Sequence, residues 1–176
     1  MAKQLLLGLL LPWLPIGQME AQQPQAGELA PGTCTMLEAT VASAPNDFEV
    51  YRGTRITGNH YEATTSISGF PICSIVVGNM SMYACMRSAR SEEEARRLYD
   101  VALDKVAPCV SGWLTSPPAD ADVQGLEMVQ GVQFSRKSDA GEIGIGLGHA
   151  RDTRTGQVED SVSIVVTFKK SGALAS

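Results

Sequence analysis

The chain has 176 residues, 44% hydrophobic and 19% charged, with a mean hydropathy of −0.01 and a formal net charge of −5. That length supports one domain with tails, and the apolar content excludes wholesale disorder. The acidic balance argues against nucleic acid as a partner, because such affinity is built from many Lys and Arg contacts to phosphate.

The N-terminus reads as a targeting segment. Lys3 gives a short basic start, Leu5 to Ile16 is apolar apart from Gly8, Pro12 and Pro15, and the chain turns polar with small residues from Gly17. This is the pattern of a secretory signal peptide, too short to stay as a bilayer span. The expected organisation is a signal peptide at 1–21, a flexible leader at 22–32, one domain at 33–170 and a frayed tail at 171–176. Cleavage after Ala21 would remove Lys3 and Glu20, leaving the net charge at −5 and no membrane span. The expected location is periplasmic or extracellular.

Export sets how the four cysteines are read. Cys34, Cys73, Cys85 and Cys109 form an even set with no CxxC spacing, so structural disulfides are expected rather than zinc binding or thiol exchange. The expected pairs are Cys73–Cys85 within a hairpin and Cys34–Cys109 between the start of the first helix and the end of the second. In the chain-entropy account the short loop contributes roughly 3 kcal/mol and the long one roughly 4.5 kcal/mol.

Along the chain, Thr33 to Ala44 reads as a helix. Thr35 and Glu38 stand at capping-box spacing, Cys34, Leu37, Val41 and Ala44 share a face, and Pro45 ends it. A strand is expected over 59–67. Ile72 to Val77 and Met82 to Met86 then form a hairpin around Gly78-Asn79-Met80, with Ile75 facing Tyr83 and Cys73 facing Cys85. Asn79-Met80-Ser81 at its tip matches the N-glycosylation sequon.

The second helix is the strongest local signal. Ser91 and Glu94 form a capping box, Glu92 to Glu94 sit at the positive end of the dipole, and Ala95, Leu98, Ala102 and Val106 recur at helical spacing. Residues 111–125 read as a loop from which Trp113 and Leu114 fold back on the core. Three strands follow, around residues 128–135, 143–148 and 162–168, with turns at 138–141 and 152–156.

The expected fold is therefore α+β: a two-layer sandwich in the order α-βββ-α-βββ, its antiparallel sheet carrying both helices on one face and stapled by disulfides. The element order looks like one supersecondary unit used twice, although no repeat is visible at the level of residues. In element order alone the layout is similar to small secretion chaperones and to immunity or inhibitor proteins of bacterial envelopes.

Candidate chemistry is sparse. Gly144, Gly146 and Gly148 alternate with Ile143, Ile145 and Leu147 inside a strand, so they do not make a dinucleotide loop, which ends a strand and opens a helix. They make instead a strip without side chains beside Gly131, Gln133 and Ser135, where a partner can approach the backbone. Gly144, Gly146, Gly148, His149 and Gln133 are the candidate binding residues. His60 and His149 are the only histidines, neither lies in HExxH, and no serine lies in GxSxG. Glu92 to Glu94 cap a helix, and Asp120, Asp122, Glu159 and Asp160 fall in loops or at strand ends. No catalytic residue, metal ligand or cofactor is assigned. The expected function is that of an exported, non-enzymatic protein that binds a protein partner, inhibitor-, immunity- or chaperone-like. The alternative is a small hydrolase or ligand-binding protein using His60 or His149.

Overall fold

A computed structural model describes residues 32–117, 126–154 and 157–171. The expected signal peptide, the leader before Gly32 and the tail beyond Ser171 lie outside the described residues. The elements are α1 (Thr33–Ser43), β1 (Arg52–Thr57), β2 (His60–Ala63), β3 (Ile72–Val76), β4 (Met80–Ala89), α2 (Glu92–Val106), β5 (Leu114–Ser116), β6 (Leu126–Ser138), β7 (Gly141–Asp152) and β8 (Glu159–Lys170). Short 3-10 turns at Ala44–Asn46, Glu49–Tyr51 and Ala107–Val110 join some of them.

All eight strands belong to one antiparallel sheet in the order β1-β2-β3-β4-β8-β7-β6-β5. Each helix is followed by a four-stranded meander, and the two meanders meet last strand to last strand, Met80 opposite Lys169 through to Ala89 opposite Asp160. An antiparallel pair of equivalent strands places a local two-fold axis between the halves, so the doubled unit has a geometric counterpart.

Each half thus contains four strands where three were expected. The additions are the two edges. In β1 four of six residues are exposed, and β5 is three residues long and exposed throughout. With neither face buried, such strands carry no alternation to read, and short or polar edges also discourage pairing with other chains. The strand expected over 59–67 stops at Ala63, and Thr64 N–H then donates to Tyr51 O at 2.8 Å. Trp113 packs partly against the core as expected, but Leu114 is 71% exposed.

The helices differ in how they start. Ser91 Oγ accepts from Glu94 N–H at 3.1 Å, and Glu94 Oε2 accepts from Arg90 N–H at 2.9 Å, one residue before the position a capping box specifies. Three acids in the first turn and a Glu92–Arg96 pair at 2.8 Å complete that end. The box expected at Thr35 and Glu38 is not formed. Instead α1 begins at Thr33 after Gly32, whose φ of 110° suits glycine, with no side-chain cap.

Burial follows the strand period. Tyr83 and Cys85 on β4, Val162, Ile164, Val166 and Phe168 on β8, and Ile143, Ile145 and Leu147 on β7 form the core rows. Against them lies the apolar stripe of α2, Ala95, Leu98, Tyr99, Ala102 and Val106, in contact with β4, β7 and β8. Leu37 and Val41 of α1 join the same cluster. Both expected disulfides are present. Cys73 and Cys85 are directly opposed in the β3–β4 ladder, their Cα atoms 4.1 Å apart, and Cys34–Cys109 ties the first turn of α1 to the turn after α2.

Candidate functional site

The side of the sheet opposite the core rows carries the candidate surface. Alternation puts Ile72, Ser74 and Val76 of β3, Met80, Met82, Ala84 and Met86 of β4, Ser163, Val165 and Thr167 of β8, and Gly144, Gly146 and Gly148 of β7 on this face. Gly131, Gln133 and Ser135 of β6 pair with Gly148, Gly146 and Gly144 respectively, which is the neighbourhood read from the sequence.

The glycine strip is not bare along its length. A Cβ at Gly144 would lie 2.6 Å from Thr167 Oγ1 and 3.2 Å from Gln133 Nε2, and one at Gly148 would lie 3.0 Å from Met128 Sδ. Neighbouring side chains therefore lean into the space that these two glycines leave. Gly146 is different, since the nearest atom to its Cβ position is the Val165 carbonyl oxygen at 4.0 Å. Only this central glycine leaves its backbone open to approach.

Beside the strip lies an apolar area that the sequence reading did not single out. Ile72 and Met86 are paired across the β3–β4 ladder and are 55% and 40% exposed, and Met80 is 55% exposed. Val76 pairs with Met82 on the same face, and Val165 pairs with Ala84. The signal was present in β4, where Met80, Met82 and Met86 alternate with the buried Ser81, Tyr83 and Cys85.

His149 does not belong to this surface. It shares the helix side with Ile145 and Leu147, is fully buried, and sets Nε2 3.0 Å from Oδ1 of Asp160 on β8. From Asp160 a chain of charges leads outward. Arg151 Nε stands 3.5 Å from Asp160 Oδ1, Arg151 Nη2 donates to Glu92 Oε2 at 2.5 Å, and Glu92 Oε1 accepts from Arg96 at 2.8 Å. The Arg151 guanidinium is the main reason that the Glu92 carboxyl titrates below the usual range. His149 Nδ1 has no partner among the described residues, nor has Nε2 of Gln130, the residue opposite it on β6. This network anchors the first turn of α2 to β7 and β8.

His60, on β2, pairs with Val76 and so faces the other way from His149. Four strand spacings separate β2 from β7, roughly 19 Å at the usual interstrand distance. The two histidines therefore share no site. Among the described residues no cluster of His, Cys, Asp and Glu is arranged to hold a metal ion, and no helix is long and apolar enough to cross a membrane. Comparisons with protein-family models, with curated proteins and with solved structures find no match.

Proposed function

We propose that this is an exported, non-enzymatic protein that binds another protein through the sheet face carrying Ile72, Met80, Met86 and Gly146. The carrying observation is the asymmetry of burial. The two-layer reading, both helices on one face, leaves the second face to solvent, and there the paired Ile72 and Met86 stay exposed toward one end of β4 and Met80 at its other end, with the half-buried Val76 and Met82 between them. Soluble proteins rarely leave contiguous apolar area uncovered unless a partner covers it, and methionine adapts its shape to the surface it meets.

Export supports the same reading. Two disulfides suit an oxidising compartment, and the N-terminal pattern at 1–21 is that of a secretory signal. A stapled sheet is also a rigid platform, which lowers the ordering cost of association. The partner is a protein with a complementary apolar surface, in an inhibitor-, immunity- or chaperone-like role, and not a nucleic acid, for which a net charge of −5 is unsuited.

The test is capture from the native exported fraction by the wild type, by Ile72→Glu with Met86→Glu, and by Gly146→Arg. One protein held by the wild type and lost with both surface variants supports the proposal. Capture that survives both variants, or no capture by the wild type, refutes it.

A further inference from the structure

A concavity lies on the helix side of the sheet, opposite the face just described. Leu37 and Val41 of α1, Val110 of the turn after α2 and Ile145 of β7 line it, each nearly or fully buried, and the Cys34–Cys109 bridge fixes α1 against that turn. Its volume is about 160 Å³. An enclosed apolar cavity of roughly 150 Å³ holds one benzene-sized body, and this cleft offers similar room but opens to solvent past Glu38, Trp113 and Arg136.

Charge at the cleft is organised. The Arg136 guanidinium carbon lies over the Trp113 ring, 4.6 Å from its centroid, a cation–π contact that holds the charged group at the cleft. Arg136 and Glu38 both line the cleft and both are exposed. Among the described residues the guanidinium has no hydrogen-bond or ion-pair partner beyond that contact, and the Glu38 carboxylate has none at all. One cation and one anion are thus offered beside a small apolar floor.

A plain apolar acid would satisfy Arg136 but meet Glu38 as a like charge, and a plain amine would meet the reverse. From this complementarity we infer that the cleft binds a free apolar α-amino acid, its side chain on the Leu37–Val41–Val110–Ile145 floor, its carboxylate on the Arg136 fork and its ammonium on Glu38. Planar Arg–carboxylate pairing is the favoured geometry for such a head group. The cleft and the Ile72–Met86 face lie on opposite sides of the sheet.

Trp113 is a built-in reporter. The chain has one other tryptophan, Trp13, which lies in the expected signal peptide, so a change in emission on ligand addition is assignable by repeating the titration with Trp113→Phe. The full chain with both disulfides intact is titrated with L-phenylalanine, L-leucine, N-acetyl-L-phenylalanine and phenethylamine, by fluorescence and by calorimetry. Saturable binding of the two amino acids is expected, with the acetylated acid and the amine each about tenfold or more weaker, as losing one charge-assisted contact implies. Arg136→Gln and Glu38→Gln should each weaken phenylalanine by a similar factor, and Ala42→Phe, which plugs the cleft from an exposed helix position, should abolish binding. Absence of amino-acid binding to the wild type, equal binding of the acetylated acid, or unchanged binding in Ala42→Phe would overturn the inference.

Discussion

His149 on β7 and Asp160 on β8 meet beneath the first turn of α2, Nε2 to Oδ1 at 3.0 Å, with the imidazole fully buried. A neutral imidazole has one N–H, and placing it on Nε2 satisfies the carboxylate. Asp160→Ala removes the described partner of that nitrogen and one of the two carboxylates that Arg151 meets, the other being Glu92. Leaving buried polar groups unmatched costs about 1–3 kcal/mol each, so a loss of about 2–4 kcal/mol is expected in denaturant unfolding. His149→Leu should cost less, since Asp160 keeps Arg151. A larger loss for His149→Leu than for Asp160→Ala would contradict this account of the network.

Asp47 gives the acid dependence. It sits at φ 56°, accepts from Ser81 Oγ at 2.6 Å and pairs with Lys170 Nζ at 2.8 Å, joining the 3-10 turn at 44–46 to β4 and β8. Burial pushes its carboxyl up, but the bonds from Lys170 and Ser81 and the charges of Lys170 and Arg52 outweigh it, so the native value lies below the ordinary 3.8. A depressed native value means stability fully present above the unfolded value and lost as pH falls below 3.8 through the native one. Asp47→Asn, which tolerates the left-handed backbone, is expected to cost about 1 kcal/mol at neutral pH. The gap from the wild type should close as pH falls below that window. A gap that stays constant down to acid pH would remove the charge from the explanation.

The disulfide pairs are directly checkable. Non-reducing peptide mapping should link Cys34 to Cys109 and Cys73 to Cys85. Replacing Cys34 and Cys109 by Ser opens the longer loop and should cost the more of the two, within the usual range of about 2–5 kcal/mol. A greater loss from Cys73→Ser with Cys85→Ser would show that strain or residual structure outweighs loop entropy here.

The glycines of β7 separate by environment. A Cβ at Gly146 meets nothing nearer than the Val165 carbonyl oxygen at 4.0 Å, so for Gly146→Arg the midpoint of thermal unfolding should move by no more than about 2–4 °C, the equivalent of about 1 kcal/mol at this size, while partner capture is lost. At Gly141 a Cβ would stand 2.2 Å from the Lys169 carbonyl oxygen, an approach that only backbone movement can relieve. Gly141→Ala should therefore destabilise strongly, and Gly144→Ala to an intermediate degree because Thr167 must give way. Equal midpoints for all three variants would mean that the strand adapts its backbone and that the contrast drawn between the positions is wrong.

What the sequence by itself determined was set by local period and local chemistry. The acids after Ser91, the apolar spacing from Ala95 to Val106 and the helix they form need only neighbours within a few residues. The Cys73–Cys85 register follows from a short hairpin, and the opposition of Gly144, Gly146 and Gly148 to Ile143, Ile145 and Leu147 follows from strand alternation. What lies over each face is a different kind of fact. Only the tertiary structure could pair β4 with β8, leave Met80 and Met86 to solvent, and sink His149 against Asp160 under a helix that begins 57 residues before it in the chain. The edge strands β1 and β5 escaped for a related reason: a strand that buries neither face leaves no hydrophobic period, and its pairing comes from backbone groups that every sequence shares. The cleft at Arg136 and Trp113 draws on α1, the turn after α2, β6 and β7, and no single stretch of sequence contains enough of it to be read.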